Sequence, residues 1–196
     1  YEFGYRLDMW ENRMRLNGAF YYTDYTDMQL AVTRTDNSVI PAENFVSFTN
    51  AGESSITGAE IEFSVLPFDG AYIGITASYI DAEYDEFEDE DLDGNVIDRS
   101  DEDFPYVPDT TYSFVAQYEW ETEWGFIVPR LSGYYTDEVF FGLDAAAADV
   151  DEAYIDDYTL WNFRLAWQSG DDDNDWEVAA YVDNFTDEQY FGSGVI

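Results

Sequence analysis

The sequence contains no cysteine, no histidine and no lysine, and seven arginines are its only bases against 44 acidic residues. The formal net charge of −37 makes nucleic acid a very poor partner, because binding it requires Lys or Arg to neutralise phosphates. The lack of cysteine excludes disulfides and thiolate metal sites, and the lack of histidine excludes common zinc sites and histidine-based triads. Any bound metal should be a hard cation held by oxygen atoms.

Long hydrophobic runs are also missing. No stretch approaches the roughly 18 apolar residues of a transmembrane helix, and no signal peptide is expected. Aromatic residues, by contrast, make up 19% of the chain, whereas disordered acidic chains are poor in them. The surplus predicts an ordered protein with either a thick soluble core or the aromatic girdles of an outer-membrane barrel.

The dominant hydrophobic period is two, which indicates β-strands. In the segment at Ala71, apolar residues alternate with Tyr72, Gly74, Thr76 and Ser78. Five further segments alternate cleanly, and their charged side chains all fall on the polar face; they start near residues 13, 59, 112, 161 and 176. Several segments reach the roughly 9–11 residues with which a tilted strand crosses a bilayer, and their apolar faces often end in Tyr or Trp.

The connections between these segments alternate in length. Short ones are predicted at 8–12, 67–70, 121–125 and 170–175, and long ones at 35–44, 88–107 and 142–156. Short turns on one side and long loops on the other are typical of outer-membrane barrels. The fold class predicted is therefore all-β, an antiparallel up-and-down transmembrane β-barrel segment of about eight strands. Pro129 interrupts one strand and predicts a bulge or an edge there.

Four segments of the chain carry a resemblance to a known family. The first is Asn184-Phe185-Thr186-Asp187-Glu188-Gln189-Tyr190, and the second is Asn50-Ala51-Gly52-Glu53 followed by Thr57-Gly58-Ala59-Glu60-Ile61-Glu62. The third runs from Phe20 to Gln29, and the fourth from Tyr158 to Arg164. Together they resemble the C-terminal part of the barrel of TonB-dependent receptors. In that family the first is similar to the signature before the last strand, the third to a strand leading into an outer loop, and the fourth to the penultimate hairpin with an inward asparagine.

The resemblance implies active uptake of a scarce nutrient across the bacterial outer membrane, driven by TonB. Partners implied are outer-membrane lipid, a siderophore, cobalamin, glycan or similar nutrient, and TonB itself through an N-terminal segment. The family's plug domain and last strand are not in this sequence. Residues 1–196 are thus expected to be a single partial barrel domain, about eight strands of a 22-strand type barrel.

A possible calcium site is the sharpest local motif, at 89–98. Oxygen ligands at alternate positions followed by a glycine resemble the start of an EF-hand loop, although Ser100 stands where the pattern requires a bidentate Glu. The candidate ligands are Asp89, Asp91, Asp93, Asn95 and Asp98. The alternative is a solvated acidic outer loop, because residues 81–103 carry 13 acids and one base. Such acidity is explained by a cation-attracting vestibule or by adaptation to high salt, and the acidity of the whole chain favours the second explanation.

Two further expectations concern side-chain roles. Arg13 and Arg15 should form ion pairs with Glu60 and Glu62 if their strands are neighbours. The aromatics Tyr134, Tyr135, Phe140 and Phe141 are expected to pack in a girdle or loop, with ligand stacking as the alternative. No nucleophile–base pair or phosphate loop is recognisable, so the chain is not expected to be an enzyme. Alternative functions are a passive porin and a soluble acidic calcium-binding β-protein.

Overall fold

The computed structural model describes residues 1–36, 38–50, 52–90, 95–141, 154–170 and 176–192. Its main sheet consists of β1 (Glu2–Met9), β2 (Met14–Thr26), β5 (Glu53–Val65), β6 (Ala71–Glu86), β9 (Thr110–Tyr118), β10 (Trp120–Thr122), β11 (Gly125–Thr136), β14 (Tyr158–Gln168) and β15 (Glu177–Val182). Three small hairpins complete the described elements: β3 (Gln29–Asp36) with β4 (Glu43–Asn50), β7 (Glu88–Glu90) with β8 (Val96–Asp98), and β12 (Val139–Phe140) with β13 (Tyr154–Ile155). No helix in these ranges is long and apolar enough to span a membrane.

The sheet has a simple up-and-down topology. Its order is β1-β2-β5-β6-β9-β11-β14-β15, with the short β10 also paired to β11, and every pairing is antiparallel. The three small hairpins are inserted on one side of this meander, at the positions predicted to be long connections. The described sheet is open, as a segment of a larger barrel wall must be, and the predicted fold class is confirmed.

The register gives the sheet one apolar and one polar face. Ile75 lies between Phe63 and Phe114 on the neighbouring strands. One residue further along, Thr76 lies between Glu62 and Ser113, and the Thr76 and Ser113 hydroxyl oxygens are 2.6 Å apart. The apolar face is the lipid-facing surface of the barrel wall, and the polar face is its lumen side.

Two bands of aromatic side chains border the apolar face. At the short-turn end, the rings of Phe68 and Tyr118 are 5.9 Å apart. At the opposite end, Tyr112 stacks on Tyr135 with a centroid distance of 4.6 Å, and Tyr79 lies at a similar level. Tyr118 pairs with Ala71, so the two bands are about 26 Å apart along β6 at roughly 3.3 Å per residue. A strand tilt of about 40° reduces this to about 20 Å across the membrane.

Strand β6 reverses its polarity just beyond Tyr79. On the lipid-facing side, Asp81, Glu83 and Asp85 are exposed, whereas on the lumen side Ala82 and Tyr84 become part of an apolar core. The buried members of this outer core are Val32, Tyr84, Phe87, Phe104 and Phe140. The small hairpins thus fold over the lumen side of the β6 extension, and the acidic residues beyond Tyr79 project into solvent above the bilayer.

The Asn-Ala-Gly motif separates β4 from β5 at the outer rim. Gly52 adopts a left-handed conformation (φ +55°), and its N–H donates to the Asn50 side chain at 3.2 Å. Across the hairpin, Asp27 has φ +58° and donates its backbone N–H to the Gly52 carbonyl at 2.8 Å. A Cβ on Gly52 would lie 2.7 Å from the Glu86 carbonyl oxygen. Asp27, Asn50 and Gly52 therefore form a hydrogen-bonded bend where the β3–β4 hairpin joins the main sheet.

The prediction of a bulge or an edge at Pro129 was wrong. Pro129 lies inside the sheet, opposite Leu165 of β14, and the register of β11 is regular. Proline has no N–H, so it cannot donate to its neighbour on the other side. The hydrogen-bonded ladder on that side is interrupted between Tyr118 and Trp120, which separates β9 from β10 without shifting their common register.

The signature at residues 184–190 is a turn held together by the Asn184 side chain. Asn184 accepts a hydrogen bond from the Glu188 N–H at 3.0 Å and donates to the Glu188 carbonyl at 2.8 Å. Its own N–H donates to the Asn162 side chain at 2.8 Å. Asn162 lies on the lumen face, as the sequence predicted, and the Tyr190 ring stacks on Tyr158 at 4.5 Å.

Candidate functional site

A buried ion cluster joins two of the outer hairpins. Asp89 of β7 forms an ion pair with Arg34 of β3, and its second oxygen lies 3.8 Å from the Arg99 Nε. Arg99 also lies 3.2 Å from the Glu102 carboxylate. Asp89, Arg34 and Arg99 are 2%, 8% and 5% exposed, so water screens these charges poorly. Removing one partner would leave an uncompensated charge in the outer core.

The same cluster contains most of the buried polar atoms that lack a hydrogen-bond partner among the described residues. They are Nη1 of Arg34, Nε and Nη1 of Arg99, the hydroxyl of Tyr84 and Oδ2 of Asp89; the sixth is Oδ1 of Asn17. Burial raises the pKa of Glu102 above its usual range, Arg99 opposes the shift, and Asp89 adds to it. The cluster therefore connects the outer hairpins through ion pairs, and the charge of each group affects the protonation of its neighbours.

The candidate calcium ligands do not converge in the described residues. Asp89 faces the two arginines, while Asp98 accepts hydrogen bonds from the Ser100 hydroxyl at 2.6 Å and backbone N–H at 3.0 Å, which lower its pKa. Asn95 precedes β8, and Asp91 and Asp93 lie outside the described residues. No three acidic side chains among the residues described are grouped closely enough to hold a metal. Calcium binding stays a prediction, and the Asp89 carboxylate already faces Arg34 and Arg99.

Sequence reasoning missed the Arg34–Asp89 pair. The motif pattern assigned Asp89 to a cation site, whereas Arg34, the only base between Arg15 and Arg99, was not considered as its partner. A usable signal was present, because Arg34 continues the alternation of Leu30 and Val32 on the buried face of β3. A base at an apolar position of a strand needs a buried acid opposite.

An acidic recess of about 110 Å³ opens beside the outer core. Its charged lining consists of Asp103, Asp109, Asp137 and Glu138. Burial raises the pKa of Asp109, and the neighbouring carboxylates of Asp137, Asp103 and Asp81 raise it further. The Tyr154 hydroxyl donates to Asp103 at 2.6 Å, and this bond with burial raises the pKa of Tyr154 to about 12. The recess gives the mouth a negative potential.

Some aromatic side chains near the outer rim are packed against neighbours, and others are exposed on the lumen side. Tyr135 lies in the outer girdle and Phe140 in the outer core, as the packing interpretation expected. Tyr134 differs, because it lies on the lumen side, is 40% exposed and has its ring 6.4 Å from Tyr158. With Tyr190 stacked on Tyr158, these rings form a lumen aromatic patch (Tyr134, Tyr158 and Tyr190) near the mouth, available for stacking.

Lower on the lumen wall, the predicted neighbours are confirmed but the predicted ion pairs are wrong. Strands β2 and β5 are paired, yet Arg15 lies opposite Ser64 and forms its ion pair with Asp8 of β1 at 2.7 Å. Arg13 pairs instead with Asp69 in the turn before β6. Glu62 accepts a hydrogen bond from Asn17, its partner in register, at 2.8 Å. Glu62 lies diagonally across from Arg15, so their charges attract each other, but they form no ion pair.

The fold and these features define the class of protein. A meander with one lipid-facing and one polar face, two aromatic bands and inserted hairpins at one end is a segment of a transmembrane β-barrel wall with its mouth. The chain belongs to the TonB-dependent receptor-like β-barrel family, whose model matches residues 1–185. No curated protein matches at a significant level.

Solved structures share this fold. The ferric yersiniabactin uptake receptor FyuA from Yersinia pestis is 24% identical, with a TM-score of 0.70 over 100% of this chain and 26% of that one. The siderophore receptor PiuA from Acinetobacter baumannii is 19% identical, with a TM-score of 0.68 over 97% of this chain and 24% of that one. The ferric-catecholate import receptor Fiu from E. coli K12 is 19% identical, with a TM-score of 0.67 over 98% of this chain and 24% of that one. The chain thus spans about a quarter of these receptors.

Proposed function

We propose that the chain is part of the barrel wall of an outer-membrane receptor that imports a scarce nutrient, and that the import is driven by TonB. The observation that carries this proposal is the two-faced sheet between two aromatic bands, in a chain that matches the receptor-barrel family from residue 1 to 185. A soluble protein would have to cover that apolar face, on which Phe20 and Ile61 are 57% and 41% exposed.

The proposed ligand is a ferric siderophore or a chelate of similar size. The support is twofold: the structural neighbours named above are siderophore receptors, and the lumen aromatic patch is exposed where a ligand would enter. Aromatic rings contribute about 0.5–1.5 kcal/mol per stacked pair beyond the area they bury. TonB would engage a segment of the polypeptide outside these 196 residues, and outer-membrane lipid would contact the apolar face.

The proposal is tested by deleting the gene in its native host and measuring growth and ⁵⁵Fe uptake under iron limitation, with a panel of siderophores supplied singly. Loss of uptake of one siderophore, reproduced by deleting tonB, is the expected result. A matched complementation series uses the wild-type gene and a Tyr134→Ala variant, which should weaken uptake while the protein still reaches the outer membrane. Uptake that survives tonB deletion would indicate a passive porin instead.

A further inference from the structure

The acidic recess beside the outer core combines carboxylates with apolar walls. Four acidic side chains line it, those of Asp103, Asp109, Asp137 and Glu138. The rest of its lining is Tyr154 and four apolar side chains, those of Ala82, Phe104, Val107 and Phe140. Its volume of about 110 Å³ is well below the roughly 300–1,000 Å³ of a site that encloses a whole drug-sized ligand. The recess is therefore suited to one end of a larger molecule.

The four carboxylates of the recess have no arginine partner. All seven arginines of these 196 residues are described, and the acids in their ion pairs are Asp8, Asp69, Asp89, Glu102 and Glu177. Arg34 and Arg99, the arginines of the outer layer, are buried in the ion cluster. Burial and the neighbouring carboxylates raise the pKa of Asp109, because its negative charge is poorly solvated and repelled. A cation in the recess would relieve this repulsion.

The lining matches an organic cation better than a metal ion. No three acidic side chains in the described part of the chain converge closely enough to hold a metal. A protonated amine can donate three hydrogen bonds to carboxylates, while the methylene groups behind it contact the apolar walls. The lumen aromatic patch adjoins the recess, because Asp137 directly follows Thr136, the register partner of Tyr158. The faces of such rings attract cations as well.

We propose that the acidic recess binds the protonated amine of a nutrient chelate that carries this amine on a short alkyl arm, with the body of the chelate on the lumen aromatic patch. The inference rests on the proposed function and adds the charge class of the ligand, which is cationic. An anionic chelate would meet four carboxylates in the recess and no base there. Binding of the amine requires no chemical step, since the ammonium group replaces its water shell by carboxylate oxygens.

Two matched iron complexes test the proposal on the full-length protein, purified in detergent. One is the iron(III) complex of a linear trihydroxamate with a free terminal ammonium group, and the other is the same complex with that amine acetylated. Quenching of tryptophan fluorescence gives the Kd of each complex. The ammonium complex should bind roughly tenfold or more tightly, as expected for charge-assisted hydrogen bonds. The preference should shrink as salt is added. Equal affinities, or tighter binding of the acetylated complex, would overturn the proposal.

A pair of variants separates the recess from the general acidity of the chain. Asp109→Asn keeps the shape of the side chain and the backbone carbonyl that accepts the Ile80 N–H, and it should lower the preference severalfold. Glu121→Gln makes the same change of charge in β10, at the short-turn end of the sheet, and should leave the preference unchanged. An equal effect of both variants would show that only the overall field of the protein attracts the cation, and the proposal would be wrong.

A smaller probe tests the recess without any chelate. In ligand-observed NMR, n-butylammonium should receive saturation from the protein more strongly than n-butanol, and Asp109→Asn should remove the difference. No binding of the ammonium complex and no preference for butylammonium would overturn the proposal. Equal affinities for the two complexes, combined with TonB-dependent uptake of a neutral or anionic chelate, would overturn the charge class alone and leave the receptor function in place. Loss of TonB-dependent uptake as a property, with butylammonium still bound, would overturn the receptor function instead.

Discussion

Replacing Ile75 by arginine tests the assignment of the two faces of the sheet. Ile75 lies midway between the two aromatic bands and is 40% exposed on the apolar face, so the bilayer centre should surround it. An arginine on the lipid side of a barrel at the midplane costs about 2–4 kcal/mol. At about 1.4 kcal/mol per factor of ten, the equilibrium ratio of folded to unfolded protein should fall by roughly 30- to 900-fold.

Thr76→Arg is the matched control, because it introduces the same side chain one residue further along the same strand. Thr76 faces the lumen beside Glu62 and Ser113, where an arginine has water and a carboxylate. Its substitution should therefore cost little. Phe114→Arg should repeat the result for Ile75, with an added loss because the Phe114 ring contacts Trp161 at 6.3 Å.

The assay is equilibrium refolding of the full-length protein into lipid vesicles across a urea series, followed by heat-modifiable migration on gels. The expected pattern is a large loss at Ile75 and Phe114 and a small one at Thr76. Equal effects at Ile75 and Thr76 would refute the assignment of lipid and lumen faces. A cost absent from both Ile75 and Phe114 would refute the membrane location of the sheet.

Four other changes have defined outcomes. Asp89→Asn should destabilise the outer hairpins by about 3–5 kcal/mol, since the buried Arg34 loses its carboxylate partner and Arg99 keeps only Glu102, and limited proteolysis should cut the 34–102 region faster. Burial raises the folded-state pKa of Glu102, so the folded state binds the proton of this carboxyl more tightly than the unfolded state does. The free energy of unfolding of the outer hairpins should therefore rise as the pH falls through this raised pKa towards the ordinary pKa of a glutamate. Glu102→Gln should abolish that dependence in pH-resolved hydrogen exchange. Gly52→Ala should cost at least about 1–2 kcal/mol in thermal unfolding, because its φ is left-handed and the added Cβ meets a carbonyl oxygen, whereas Gly192→Ala, with open space around it, should be neutral. If the 89–98 loop binds calcium, millimolar calcium should raise the unfolding midpoint and Asp93→Asn should remove the effect. An equal rise with magnesium would show that divalent cations only screen the repulsion between the carboxylates.

The lipid and lumen faces were predictable because their signal is local. A strand's alternation is fixed by backbone geometry, so the faces at Ala59, Ala71 and Tyr112 could be assigned without knowing which strands pair. The turn motifs were recognisable for a related reason. Gly52 and Asn184 each satisfy a conformational requirement of their own backbone, so the residue type itself carries the information.

Pairings across the sheet were harder to predict because they depend on register. Arg15 and Glu62 lie on neighbouring strands, yet the offset between β2 and β5 places Asn17, not Arg15, opposite Glu62. Pro129 was misjudged because one missing hydrogen bond is tolerated in the interior when the strand is held along its other edge by β14. The partner of Asp89 was missed because Arg34 is 55 residues away, and a local motif carries no information about a residue that distant.

The polarity reversal along β6 determines the bilayer thickness that the barrel wall fits. Roughly 20 Å of apolar wall separates the level of Tyr118 from Tyr79, and Asp81 follows within one pleat. A thicker membrane would either place the Asp81 carboxylate in hydrocarbon or have to become thinner around the wall. Both cost free energy for each ångström of mismatch. The wall is thus matched to a thin bilayer, and bacterial outer membranes are thinner than average.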